Sequence, residues 1–252
     1  MTALAPDRTR ENSWFRMQAS AVKPETTDIL IYDEIGTYGI TALDFTQSLR
    51  AITTPAITLR LNTPGGDVFD GLAIYNSLKS LNAVVHVQVD GVAASIGSVI
   101  AMAGHTITMG QSAFLMVHNP WSLVIGNAQD MRTMADTLDK IAGSLAGIYA
   151  TRASVTLDQA LAWMNAETWF TGADAKAAGL ADTVLGDTTQ ALAQARAFDL
   201  TSYRNVPAAL HAASPAPVST VEPHPIPAPM DCSRRRQHRL ALVERGELSH
   251  AL

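Results

Sequence analysis

VVHVQVDGVAASIGSVIAMA, residues 84–103, is a strand, a corner and a helix in succession. Val84 to Val89 is a β-branched run of the kind that fits a pleated sheet. Gly91 ends it, two alanines follow, and Ser95 opens a small-residue helix reaching Ala103. A serine there holds its hydroxyl at a strand-to-helix turn, where amides at the helix start face any developing negative charge. Ala93, Ala94 and Gly97 leave room for a substrate backbone to come close. The segment is not the GxSxG elbow, because alanine stands two residues before the serine. Two readings stay open on this stretch alone: a helix N-cap, which is the commoner use of such a serine, or a nucleophile.

Working outward, Asp28 to Tyr32 and Ala56 to Leu61 read as buried strands. Gly71 to Leu81 reads as a helix, with Leu72, Tyr75, Leu78 and Leu81 on one side, and Ala113 to Val117 as another strand. From Ala128 to Arg152 the apolar positions Met131, Met134, Leu138, Ile141, Leu145 and Ile148 form a narrow helical seam. Such a seam suits a partner helix or the protein's own sheet. Strands alternating with helical periodicity place residues 28–203 in the α/β class. Residues 1–27 are polar and aperiodic and read as a flexible arm. Residues 204–230 read as an extended Pro/Ala-rich linker, and 231–252 as a basic tail.

Composition narrows the function. At 252 residues, 47% hydrophobic and 16% charged, the chain is of ordinary globular type with room for one domain plus extensions. A net charge of −5 gives no general attraction to nucleic acid or anionic membrane. The single cysteine, Cys232, forms no internal disulfide, which suits a reducing, cytoplasmic setting. The longest uncharged run that is mostly small and apolar, Gly91 to Gly104, is too short to span a bilayer and reads as core.

Two further segments bear chemistry. LNTPGGDVFDG, residues 61–71, runs from a strand through paired glycines into a helix. Such glycines serve a tight turn, or an amide turned outward as an oxyanion hole needs. FLMVHNP, residues 114–120, sets His118 at the end of an apolar strand, where a histidine is structural or takes a proton from a hydroxyl. No histidine pair has metal-ligand spacing with a supporting Cys or carboxylate, so no metal is expected, and the chemistry above calls for no cofactor.

In this order, NTPGG, then GVAASIG, then MVHNP resembles the Clp protease proteolytic subunit family. WFTGADAKAAGLADTV, residues 169–184, resembles that family's closing segment, so the resemblance covers about residues 28–186. It implies the Clp protease/crotonase type of α/β fold, stacked β/α units with a projecting handle helix over Ala128 to Arg152. It implies a serine endopeptidase with Ser95 as nucleophile, His118 as general base, and the backbone amides of Gly66 and Ile96 as the oxyanion hole. It also implies a homo-oligomeric ring acting on protein substrates bound as an added strand. The family's triad aspartate falls at Thr168 here, with Glu167 adjacent as its substitute if the strand register shifts. ETWF and the tail most resemble the phage head-maturation branch, which implies ATP-independent trimming of scaffold or capsid precursors. Two alternatives stand beside this one. A catalytically weak or inactive assembly protein of the same fold follows from Thr168, its tail docking through Arg234, Arg235, Arg236 and Arg239. A crotonase-like acyl-CoA enzyme would share the fold without needing Ser95 and His118.

Overall fold

The computed structural model describes residues 15–19, 25–37, 39–186 and 198–210. The rest of the expected N-terminal arm, the linker beyond Leu210 and the basic tail lie outside the described residues.

Five parallel strands form the centre of a mixed sheet: β2 (Thr26–Ile31), β3 (Ala56–Thr63), β4 (Val84–Ala94), β5 (Thr106–Met109) and β8 (Thr183–Val184). An edge strand, β1 (Phe15–Ala19), pairs antiparallel with β2. It falls inside the stretch read as a flexible arm, and the ladder from Phe15↔Ile31 to Ala19↔Thr27 is what orders it. The five residues FRMQA alternate apolar and polar, a short strand pattern set within otherwise polar sequence.

β4 is the pivot of the molecule. Its first half pairs with β5, and its last residues pair instead with β6 (Phe114–Val117), which in turn pairs antiparallel with β7 (Thr168–Thr171). Strand β4 therefore runs five residues past Val89, where the sequence reading ends it, because small Ala93 and Ala94 sit between β3 and β6 in the sheet.

β2, β3 and the first part of β4 bury one face rather than two. Ile57, Leu59 and Leu61 stand in register with Val85, Val87 and Val89, all of them buried. Helices α1 (Ala42–Leu49), α2 (Val68–Lys79) and α3 (Ile96–Ala101) supply Phe45, Leu49, Ile74, Leu78 and Ile100 to that same core. The other face carries polar side chains. Asp90 there accepts from both Arg60 nitrogens at 2.8 Å, from Gln88 at 2.7 Å and from the Tyr32 hydroxyl. Among the described residues, this second face is covered at the end of β4, where Val92, Ala94, Phe114 and Met116 pack against Leu200 and Leu210.

Helix α2 begins three residues before Gly71 because Asp67 caps it, its Oδ1 accepting from the Phe69 and Asp70 amides at 2.9 Å. The long helix α4 (Ala128–Ala153) opens with a capping box of Asn127 and Asp130. Its apolar seam divides between the two roles left open. Leu145 is buried and Ile141 and Ile148 pack on the core, whereas Met131 is 51% exposed. The C-terminal half covers this domain, and the N-terminal half leaves its seam uncovered by the described residues. Two shorter helices, α5 (Leu157–Asn165) and α6 (Gly172–Ala177), flank β7. No described helix is long and apolar enough to cross a membrane.

Candidate active site

Ser95 and His118 meet because the ends of β4 and β6 lie side by side in parallel register. Ala94 is opposite Met116, and the Ser95 amide donates to the Met116 carbonyl at 3.0 Å. Each strand then delivers its next residues to the same corner: β6 ends at Val117, His118 follows, and the Asn119-Pro120 break lies just beyond. Ser95 Oγ and His118 Nε2 are 2.7 Å apart. The helix-cap reading of Ser95 is corrected by this geometry. The Ser95 side chain makes no cap hydrogen bond to α3 and is directed to the imidazole instead. Its backbone sits at φ 55°, which for a non-glycine residue costs about 1–3 kcal/mol and persists only when neighbours impose it. Ser98 imposes it here: its hydroxyl donates to the Ser95 carbonyl at 2.6 Å and lies 2.7 Å from the buried Tyr149 hydroxyl. Burial pushes the Tyr149 pKa upward, so it stays a protonated donor.

The glycine loop passes against this corner. Gly65 and Gly66 have φ of 97° and 144°, conformations that glycine adopts without strain. A Cβ on Gly65 would stand 2.7 Å from Ser95 Cβ, so the loop and the serine touch. The amides on either side of Gly66 are used inside the loop: Gly65 donates to Thr63 Oγ1 at 3.1 Å and Asp67 to the Ile35 carbonyl at 2.9 Å. Ile96 is the first residue of α3, where a helix leaves its amides without internal acceptors.

Burial lowers the His118 pKa below the ordinary histidine range; the Glu167 carboxylate partly offsets this, and the Arg204 cation adds to it. The imidazole is thereby kept neutral and able to accept a proton at neutral pH. Thr168 is not brought to it, since its hydroxyl donates to the Trp163 carbonyl at 2.8 Å. Glu167 lies inside, 4% exposed, and its backbone is left-handed at φ 49°. Its amide donates to the Met164 carbonyl at 3.1 Å, just beyond Ala166, the cap of α5. Strand alternation does not apply to Glu167, because β7 starts one residue later. No register shift is involved.

Three residues that the sequence reading did not single out complete the corner. Tyr203 packs edge-on against the His118 ring with centroids 5.3 Å apart, and its hydroxyl donates to the Pro64 carbonyl at 2.5 Å. Burial pushes its pKa up to about 12, with Ser95 partly offsetting the rise. The Asn205 amide donates to Glu167 Oε1 at 2.7 Å, and Arg204 Nε lies 3.8 Å from Glu167 Oε2. No local sequence signal marks these residues; only their contacts do. The remaining described histidines serve the sheet: His105 Nδ1 accepts from the Val85 amide at 3.0 Å, and His86 Nδ1 lies 2.8 Å from Thr106 Oγ1.

A family model described as Clp protease matches residues 21–188. Among curated proteins, the chain is 31% identical over 134 residues to an ATP-dependent Clp protease proteolytic subunit of Bacteroides fragilis, covering 51% of this chain and 63% of that subunit. It is 34% identical over 133 residues to ATP-dependent Clp protease proteolytic subunit 3 of Rhodococcus jostii, covering 51% of this chain and 65% of that one. The matched stretch thus spans a little under two thirds of these relatives.

Proposed function

The chain belongs to the Clp protease family, and on that premise we propose that it is a serine endopeptidase with Ser95 as nucleophile, His118 as general base and Glu167 as third member. The observation that supports this most directly is the 2.7 Å approach of Ser95 Oγ to His118 Nε2 at a strained corner. With Nε2 unprotonated, the Ser95 hydroxyl gives it a proton as Oγ bonds to the carbonyl carbon of a peptide. The carbonyl oxygen takes the negative charge and receives the amides of Gly66 and Ile96. As the tetrahedral intermediate collapses, the C–N bond breaks and His118 returns the proton to the leaving amine. Water then attacks the acyl-enzyme, giving its proton to His118, and the serine leaves reprotonated. Glu167, buried and favouring the protonated ring through its charge, steadies the imidazolium that forms twice in the cycle.

The finer reading is a processing role: trimming scaffold or capsid-precursor proteins in phage prohead assembly, in a homo-oligomeric ring and without an ATP-driven unfoldase, in a cytoplasmic setting. The ETWF segment and the proline-rich and basic C-terminal residues support it. Incubation of the assembled protein with a fluorophosphonate, followed by intact mass measurement, tests the chemistry. A single adduct absent from Ser95→Ala is the expected result, and no adduct on the wild type refutes the peptidase reading. Cleavage of a phage scaffold or capsid-precursor protein by the assembled protein, with no nucleotide added, tests the processing role.

A further inference from the structure

Residues 198–210 lie beyond the family-matched stretch yet reach the reacting corner. Leu200 and Leu210, 6% and 4% exposed, anchor them on Val92, Ala94, Phe114 and Met116, the strand residues that lead to Ser95 and His118. The sequence boundary at 203/204 therefore falls inside a packed segment. Between the two anchors stand Tyr203, Arg204 and Asn205, and all three face catalytic groups. Asn205 makes two bonds at the turn that bears Glu167. Its backbone N–H donates to Oε1 at 2.7 Å, and its Nδ2 donates to the Ala166 carbonyl at 2.8 Å.

We propose that Asn205 is a positioning residue of the active site, its main-chain N–H holding the Glu167 carboxylate toward His118. The proposal rests on the reading of Glu167 as third member. The physical need is specific. A carboxylate on a left-handed turn past a helix end has no strand neighbours to fix it, and its side chain has three torsions to set. A charge-assisted hydrogen bond from a packed backbone removes that freedom. The segment thereby supplies, from outside the family-matched residues, the constraint that a strand position would give to an aspartate. The groups facing His118 in this arrangement are Ser95, Tyr203, Glu167 and Arg204.

The bond is a main-chain one, so Asn205→Pro removes the donor while Asn205→Ala keeps it. Each variant, with Glu167→Gln and with Thr201→Ala as an exposed control on the same segment, is followed as full-length protein. The readouts are the fluorophosphonate labelling rate and the pH profile of kcat and KM on a fluorogenic peptide. Misplacing a catalytic group by about 1 Å can cost about a hundredfold. Asn205→Pro is therefore expected to lower kcat by about ten- to a hundredfold at near-constant KM, with Asn205→Ala losing less and Thr201→Ala unchanged. Its acid limb should move to lower pH, as in Glu167→Gln, because both take a carboxylate from the imidazole. If Glu167→Gln leaves rate and pH limb unchanged, the reading of Glu167 fails and the proposal with it. If Glu167→Gln is impaired but Asn205→Pro keeps wild-type kcat, gains activity or changes KM alone, the proposal fails while that reading stands. A melting curve checks folding, and should Asn205→Pro unfold, an amide-to-ester replacement of the 204–205 peptide bond in the full chain removes the same N–H without fixing φ and must show the loss in kcat and the same direction of pH shift.

Discussion

Replacing Gly66 by alanine sets a large chemical effect against a small structural one. At φ 144° an alanine is strained by about 1–3 kcal/mol, and its Cβ would lie 2.0 Å from the Ile35 carbonyl oxygen. That oxygen is fixed by the Asp67 amide, so the loop must move by more than 1 Å to restore an ordinary contact. The Gly66 amide moves with it. Loss of one oxyanion donor costs about 10²–10³ in kcat, or about 2.7–4 kcal/mol of transition-state stabilisation. Gly179→Ala is a milder control at another left-handed glycine: φ is 78°, the Cβ meets the Ala153 carbonyl oxygen at 2.9 Å, and the site is elsewhere. Both variants should lower Tm by a few degrees, at about 2–4 °C per kcal/mol for a domain of this size. Only Gly66→Ala should slow fluorophosphonate labelling and peptide turnover by two orders of magnitude. The oxyanion assignment is wrong if Gly66→Ala, folded and no less stable than Gly179→Ala, labels within threefold of wild type.

Arg204 lowers the His118 pKa, so Arg204→Ala should raise it and move the acid limb of kcat/KM to higher pH, as a pH-rate profile would show. Burial holds the His118 pKa below its unfolded value near 6.5, so the unfolded chain binds the proton more readily. The stability from this group is present above that value and lost as pH falls below it; Tm measured against pH should show a shallower acid decline in His118→Ala. Ser98→Ala strips the buried Tyr149 hydroxyl of its partner and should cost about 1–3 kcal/mol, whereas Tyr149→Phe should cost less because Ser98 keeps the Ser95 carbonyl. Urea titration of the two variants checks that order. Asp90→Ala leaves Arg60, Tyr32 and Gln88 without their common acceptor. With Arg60 still 41% exposed, the loss should be about 2 kcal/mol rather than the larger figure for a fully buried pair, readable from the same titration.

Much of the site was legible because it is built from short, contiguous pieces. The β-branched run into Gly91, the small residues around Ser95, and the apolar strand ending at His118 each announce an element and its end. Parallel pairing of β4 with β6 then brings the two ends together, and that pairing is a property of the whole sheet. The elements that were missed lack such marks. β1 is only five residues long and lies in polar surroundings, while α1 and α5 are short. The nature of Ser95 was undecided in its own segment, since a cap and a nucleophile share one local pattern. Its φ of 55° and the approach of its hydroxyl to His118 are what the local pattern could not carry.

Thr168 and Glu167 show why alternation along a strand was the wrong tool at one position. Alternation assumes that both residues are already extended, so that only one of them can face His118. Yet α5 ends at Asn165 with Ala166 as its cap, and the residue after a cap commonly turns left-handed. Glu167 takes that conformation, which swings its side chain inward before β7 begins, and Thr168 turns its hydroxyl back to Trp163. On the proposed reading, the carboxylate absent from the strand comes from the turn before it. A turn gives less rigidity than a ladder, and the Asn205 amide answers that deficit from the far end of the chain. If this trade is real, the two positions are coupled: once Glu167→Gln is in place, adding Asn205→Pro should cost far less than it does alone, a double-mutant cycle readable in kcat. Independent, additive losses would mean that residues 198–210 support the corner by packing only.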